Sequence, residues 1–248
     1  MLKKPKMIIF DYGHTLAYED KWDGIKAQKA LLEYCVYNKN NLTAEQIAEF
    51  ADNLYLNIIS GRENNIEFHE HQFQKFIYEY LQIEINLSPV EIERIYWDSA
   101  SMFYAMPNIK ETLDYLGKNN IRTGVISNIS FSGEALKKRI NKLLPDNNFE
   151  FIIASSEYIF RKPDKLIFEL ALNKANLEAG EVWYCGDSTD FDIAGANSAG
   201  IFPVWYESEI ECHYRLRGSQ SKPECVHLHI TDWLELIDVL NNFERTAD

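Results

Sequence analysis

From Pro107 onward, the chain alternates amphipathic helical segments with short apolar segments. The apolar segments include "GVIS", "FIIAS", "VWYCG" and "FPVWY", which are rich in β-branched and aromatic residues and are typical of buried strands. Strands that alternate with helices favour a parallel sheet covered by helices on both faces. This half of the sequence therefore predicts an α/β fold built around a parallel sheet.

One further apolar segment, Met7–Phe10, precedes a long block that has only helical patterns. Helix starts in this block are marked by capping-box spacing at Thr43 and Gln46 and at Ser88 and Glu91. Because no strand is expected in the block, the early strand has its partners only in the later sheet. The predicted division is a core of residues 1–16 and 107–248 and an inserted all-helical cap of residues 17–106.

Composition narrows the classes of function. The 248 residues are 46% hydrophobic and 25% charged, which is ordinary for a globular protein. A net charge of -13 argues against nucleic acid or an anionic membrane as the main partner, because both would be repelled. The apolar run after "MLKKPK" is too short for an export signal, and no run is long enough to span a membrane. We expect a cytoplasmic protein whose main partner is neither nucleic acid nor a membrane, and the sequence does not indicate its oligomeric state.

Two groups of possible metal ligands are set aside. His69 and His71 lie two residues apart on a predicted helix, so they are expected on different faces. The second group coincides with "PECVHLHITDWLEL", which fits a final strand followed by a helix better than a zinc site. Its residues are Cys212, His213, Cys225, His227 and His229.

Chemically useful side chains follow the predicted strands. Asp11 ends the first strand, Ser127 and Asn128 end a second, and Asp187 ends a third, while Lys162 lies in the loop "FRKPD" before a helix. Ligands of parallel α/β sheets bind beyond the carboxyl ends of the strands. These residues are therefore predicted to converge at one edge of the sheet.

Four motifs, in this order, carry a family resemblance: "IIFDYGHTL", "GVISN", "RKPDKLIFE" and "YCGDSTDFDIAGANSAG". The chain resembles the haloacid dehalogenase superfamily of hydrolases over residues 1–16 and roughly 107–235. The resemblance implies a Rossmann-like core with a helical cap between the first two motifs. It also implies a small phosphorylated substrate and Mg²⁺ as the cofactor.

The resemblance assigns roles by position. Asp11 is the expected nucleophile that becomes an aspartyl-phosphate, and Mg²⁺ is expected on Asp11, Asp187 and the backbone carbonyl of Gly13. Ser127 is expected to donate to the phosphate, with Asn128 beside it, and Lys162 to neutralise the nucleophile and the transferred group.

The last motif carries two more acids. Asp192 falls at the family's second acidic position, where it either orients Lys162 or supports the metal through water. Asp190 is an additional acid whose role stays open.

The first motif departs from the family pattern. Family phosphatases carry an acid/base Asp two residues after the nucleophile, and here that residue is Gly13. His14 replaces the usual Gly and is a candidate for the missing proton transfer.

Three functions stay open after this departure. They are a Mg²⁺-dependent phosphohydrolase, an Asp-nucleophile enzyme for haloacids or phosphonates, and a degenerate site that binds without turnover. The intact "GDSTDFD" favours the first of these, because dehalogenases need no metal.

Overall fold

The computed structural model describes residues 2–61, 65–211 and 221–245. Its strands are β1 (Met7–Phe10), β2 (Ala17–Glu19), β3 (Cys35–Asn38), β4 (Ile83–Ile85), β5 (Phe103–Ala105), β6 (Arg122–Ser127), β7 (Phe149–Ala154), β8 (Val182–Gly186), β9 (Phe202–Tyr206) and β10 (Leu228–Ile230). Its α-helices are α1 (Gly24–Leu32), α2 (Ala44–Ser60), α3 (Glu70–Leu81), α4 (Pro89–Ala100), α5 (Ile109–Lys118), α6 (Gly133–Leu143), α7 (Lys165–Ala175), α8 (Ala194–Ser198) and α9 (Trp233–Arg245).

The main sheet has six parallel strands in the order β10-β9-β8-β1-β6-β7. Strand β1 is fully buried and pairs with β6 on one side and β8 on the other. Apolar clusters cover both faces: α5, α6 and α9 contribute to one cluster, and α7 and α8 to the other. The α/β class and the parallel sheet are confirmed, and β1 joins the later strands as the sequence predicts.

The block predicted to be all-helical contains α1 to α4 and also two short antiparallel ribbons. Strands β3 and β4 form one ribbon, and β2 and β5 form the other, where the chain enters and leaves the block. These strands are only three or four residues long, so they show no usable periodicity in the sequence. The division at residues 16/17 and 106/107 stays a prediction.

Both capping boxes that the sequence predicts are present. Thr43 caps α2 and Ser88 caps α4, and in each case the residue three positions later bonds back to the cap. Within the described ranges, no helix is long and apolar enough to cross a membrane.

The histidine pair differs from the prediction. His69 is not inside the helix but is the N-cap of α3, where its Nδ1 accepts the backbone N–H of His71 at 3.1 Å. The two rings therefore lie 4.5 Å apart between centroids instead of on different faces. The helical spacing rule does not apply because a cap residue has non-helical backbone.

Of the residues weighed for zinc, Cys212 and His213 lie outside the described residues. His229 is in β10, which pairs with β9, and its ring stacks on Trp205 at 4.3 Å. The part of the chain that the structure describes holds one group with metal-ligand spacing, which is elsewhere and contains only aspartates.

Candidate active site

The predicted site residues meet at the carboxyl edge of the sheet. Asp11 follows β1, Ser127 is the last residue of β6, and Asp187 follows β8, so three neighbouring strands each deliver one polar side chain. All three are buried and line one cavity of about 850 Å³. Residues of the predicted cap also line this cavity, including Trp22, Asp52 and Tyr55.

Lys162 lies at the centre of the polar network. Its Nζ donates to Asp11 Oδ1 at 2.5 Å, to Asp192 Oδ1 at 2.5 Å and to the Tyr184 hydroxyl oxygen at 2.9 Å. These three bonds use all three N–H donors of the ammonium group. Because Lys162 is buried and held from three sides, it places a fixed positive charge on the predicted nucleophile.

The loop that carries Lys162 is held by Asn128. The Asn128 side chain donates from Nδ2 to Lys162 O at 2.9 Å and accepts from Lys162 N at 2.7 Å through Oδ1. Both ends of the amide are thus engaged by the backbone of the lysine. Asn128 also lines the cavity, and its predicted contact with substrate stays a prediction.

Both carboxylate oxygens of Asp192 have hydrogen-bond partners. Its Oδ1 accepts from Lys162 and lies 3.2 Å from the Tyr184 hydroxyl, and its Oδ2 accepts from Ser188 N at 2.9 Å. Gly186 is required beneath it, because a Cβ at that position would overlap the Asp192 carboxyl group. Of the two roles that the sequence leaves open for Asp192, the geometry favours orienting the lysine.

Sequence reasoning did not include Tyr184 in the site. Its hydroxyl bridges Lys162 and Asp192 and lies 3.3 Å from the Ile126 carbonyl oxygen. A usable signal existed, because Tyr184 and Gly186 alternate along β8 and so face the same side of the sheet.

Burial shapes the protonation of this network. Burial raises the pKa of Asp11 to about 6, although Lys162 opposes the shift. Burial alone would lower the pKa of Lys162, but the charges of Asp11 and Asp192 reverse this effect and raise it. Burial and the nearby Asp192 raise the pKa of Tyr184 well above its ordinary value. The lysine is therefore charged and the tyrosine neutral at physiological pH.

The donor set fits a hard divalent cation. Asp11, Asp187 and Asp192 each offer a carboxylate oxygen, and these atoms lie within 4.8 Å of one another. Carboxylate oxygens are the ligands that Mg²⁺ prefers. Three buried carboxylates face one lysine, so the group has negative charge left over that a bound cation would neutralise.

The turn after Asp11 shows how Gly13 and His14 are placed. His14 N donates to Ala17 O at 2.7 Å, and Tyr12 O accepts from the N–H groups of Leu16 and Ala17. His14 has a left-handed φ of 54°, is buried and lines the cavity, as does Gly13. The left-handed conformation that favours glycine in this turn therefore falls on position 14, which is a histidine in this chain.

Two cap carboxylates join the cavity wall to the core. Glu67 lies with Oε2 3.1 Å from the Ser155 hydroxyl and 3.6 Å from Arg161 Nε. Glu70, at the start of α3, accepts from the Ser130 hydroxyl at 3.1 Å, and its backbone N–H donates to Ser130 O at 2.8 Å. Burial raises the pKa of Glu70 to about 7.

A third cap carboxylate, Glu93 on α4, binds the first turn of core helix α6. It accepts from Ser132 N and from Ser132 Oγ, both at 2.6 Å, and His71 Nε2 lies 3.0 Å from its Oε2. Ser132 is itself the N-cap of α6. No local pattern predicts this contact, because it joins residues 39 positions apart.

The sequence profile of the haloacid dehalogenase-like hydrolases matches residues 8–205, which is most of the chain. The chain belongs to this family. The matched range includes all four motifs, so the resemblance drawn from them is confirmed, and the protein is a hydrolase of this family.

This hydrolase is similar to three curated proteins over most of the length of each of them. Glyceraldehyde 3-phosphate phosphatase of Pyrococcus furiosus is 25% identical, over 96% of this chain and 94% of the relative. Pyrimidine 5'-nucleotidase YjjG of Escherichia coli is 26% identical, over 84% and 87%. Glyceraldehyde 3-phosphate phosphatase of Methanothermobacter thermautotrophicus is 28% identical, over 83% and 87%.

Solved structures of the family share the fold of this hydrolase. A 2-haloacid dehalogenase from Pseudomonas syringae is 20% identical with a TM-score of 0.62, over 98% of this chain and 100% of the other. A HAD phosphatase from Thermococcus onnurineus is 20% identical with a TM-score of 0.60, over 94% and 97%. Dehalogenases and phosphatases of the family thus share one fold, so their activities must be separated by the site.

Proposed function

We propose that this hydrolase is a Mg²⁺-dependent phosphatase that acts on a small phosphate monoester through an aspartyl-phosphate intermediate. The observation that carries the proposal is the position of Lys162 between Asp11 and Asp192, beside the buried carboxylate of Asp187. A buried lysine on the nucleophile can neutralise the charge of an incoming phosphoryl group, and preorganised charge of this kind is a large term in catalysis. The named phosphatases and nucleotidase among the relatives support a phosphate ester as substrate.

In the proposed reaction, a carboxylate oxygen of Asp11 attacks phosphorus, and the bond from phosphorus to the leaving oxygen breaks. Water then attacks the aspartyl-phosphate, which releases inorganic phosphate and restores the carboxylate. Lys162 and the Ser127 hydroxyl would hold the phosphoryl oxygens, and Asp192 would keep Lys162 in place.

Asp11, Asp187 and the Gly13 carbonyl would hold Mg²⁺. When bound, the cation would offset the negative charge of the phosphoryl oxygens. The competing dehalogenase function requires no metal. A reaction without a metal does not explain why three carboxylates are clustered at this site.

The test measures phosphate release from acetyl phosphate and p-nitrophenyl phosphate with Mg²⁺ and with EDTA. Wild type should release phosphate only with the metal, and Asp11→Asn should lower kcat by at least about 10³-fold, because an amide is not a nucleophile. Asp114→Asn is the control, since this acid is exposed on α5 and does not line the cavity. Metal-independent halide release from 2-chloropropionate would replace the proposal with the dehalogenase function, and metal binding without turnover would replace it with the degenerate site.

A further inference from the structure

The cavity that holds Asp11 is larger than a phosphoryl group needs. Its volume of about 850 Å³ lies near the upper end of the range, roughly 300 to 1,000 Å³, that small-molecule sites occupy. The phosphoryl group would sit at the sheet edge with Lys162, so most of this space belongs to the leaving group.

Three large aromatic residues line this space and are exposed. Trp22 lies between β2 and α1, Tyr55 is on α2, and Phe191 lies in the turn before α8, with exposed fractions of 40%, 42% and 45%. Exposed aromatic surface of this kind is unfavourable in water and is typical of a ligand-binding surface. Since the three residues come from separate elements, their presence around one cavity is not the packing of a single helix face.

The charge on the leaving-group side of the cavity is negative. Asp52, on α2 one turn before Tyr55, supplies this charge, whereas burial raises the pKa of Glu70 to about 7 and leaves that carboxyl group partly protonated. Among the described residues that line the cavity, the lysine and arginine side chains are Lys162, which binds Asp11, and Arg161, whose Nε lies 3.6 Å from Glu67 and whose guanidinium lies 5.7 Å from the centroid of the Phe191 ring. A leaving group with a negative charge beside Asp52 would therefore be repelled.

We propose that Trp22, Tyr55 and Phe191 form the leaving-group subsite, which selects phosphate monoesters of an aromatic or heterocyclic ring without a second negative charge. This inference rests on the proposed phosphatase function. Tyr55 and Phe191 contact the ring of the leaving group. Asp52 favours a hydrogen-bond donor or a cation on the side of that ring opposite the phosphate.

The first experiment uses three phenyl phosphates whose leaving phenols have similar acidity but whose 4-substituents differ: 2-aminoethyl, ethyl and 2-carboxyethyl. Wild-type kcat/KM should fall in that order, with a difference of about tenfold between the ammonium and the carboxylate. Asp52→Asn should raise kcat/KM for the carboxyethyl ester about threefold relative to the ethyl ester. Equal rates for the three esters, or a preference for the carboxylate, would overturn the charge selection.

The second experiment compares 4-ethylphenyl phosphate with acetyl phosphate, which has no ring. Tyr55→Ala and Phe191→Ala should each lower kcat/KM for the ring ester about fivefold more than for acetyl phosphate. Tyr80→Ala is the matched control, because Tyr80 is 64% exposed on α3 outside the cavity, and it should change neither value. Thermal melts of all three variants check that they are folded.

The outcomes separate the two proposals. If wild type does not hydrolyse acetyl phosphate with Mg²⁺, the phosphatase function itself fails. If it does, but the folded Tyr55 and Phe191 variants lose both substrates equally, the rings only support the structure and the subsite is overturned.

Discussion

Gly13 leaves the predicted catalytic machinery without a side chain two residues after the nucleophile. An alkyl phosphate needs its leaving oxygen protonated, whereas aryl and acyl phosphates leave readily as anions. Proton transfer by a positioned group is worth about 10² to 10⁴-fold in rate. The wild-type enzyme should therefore favour aryl and acyl phosphates strongly.

Gly13→Asp should raise kcat for glycerol 3-phosphate at least about tenfold, because it restores a carboxyl group at the acid/base position. The left-handed φ of the turn is recorded at His14, so the aspartate does not have to adopt that conformation. The rate is measured by phosphate release, and a thermal melt establishes that the variant is folded.

His14→Asn is the companion variant, since asparagine tolerates the left-handed φ of 54° better than alanine does. If the imidazole carries the proton, this variant loses at least about tenfold in alkyl-phosphate turnover. Such a loss, with no gain from Gly13→Asp, would assign the acid/base role to His14. A folded Gly13→Asp protein without any gain, beside an unaffected His14→Asn, would contradict both accounts.

The sequence predicts which polar side chains lie at the strand ends but not how these side chains contact one another. Asp11, Ser127 and Asp187 follow strands, so position alone indicates them. Tyr184 and Asn128 hold Lys162 through contacts between distant parts of the chain, and the strand pattern that places these two residues does not show that Lys162 is their partner.

Among the elements, the contact between α4 and α6 joins the cap block to the core. Glu93 places a carboxylate at the N-terminus of α6, where the helix dipole and the free N–H groups favour negative charge. If the charge of Glu93 is removed, the buried Ser132 N–H and hydroxyl groups are left with a neutral and therefore weaker hydrogen-bond acceptor.

Glu93→Gln should therefore lower the free energy of unfolding by about 1 to 3 kcal/mol. Urea denaturation measures the change. Asp98→Asn, an exposed substitution on the same helix α4, is the control and should change stability by less than about 0.5 kcal/mol. If the two variants have the same stability, the Glu93 contact contributes nothing beyond an ordinary surface acid.

Helices with a cap signal were predictable as elements, and short strands were not. Thr43 and Ser88 mark the starts of α2 and α4 by a local pattern that the structure reproduces. Strands β3 and β4 exist because they pair with each other across a gap of more than forty residues, which no local pattern contains.

For the whole molecule, the buried carboxylate of Glu70 links stability to pH. Burial raises its pKa to about 7 from an ordinary value of 4.5, although bonds from Gln74 and Ser130 oppose the shift. As pH rises from 4.5 to 7, the unfolded chain loses this proton first, so unfolding becomes more favourable. The penalty is absent below pH 4.5 and fully present above pH 7.

Glu70→Gln removes this titration. The free energy of unfolding of the variant, relative to wild type, should rise by an amount on the order of 3 kcal/mol between pH 4.5 and pH 8. Urea denaturation at several pH values provides the measurement. Glu79→Gln, exposed on the same helix, should show no such trend. A Glu70→Gln difference that is constant across this range would mean that Glu70 titrates normally.

The ribbon of β2 and β5 has a consequence for how such a chain can change. Ala17 pairs with Ala105 and Glu19 pairs with Phe103, so the polypeptide departs from the catalytic half and comes back at the same spot. The covalent connections of this interval to the core thus both pass through one ribbon, and its other contacts with the core are non-covalent, such as the bond between Glu93 and Ser132. An ancestral gene could therefore exchange, enlarge or shorten that interval without rerouting the main sheet, and new specificities could arise while the chemistry at Asp11 stayed unchanged.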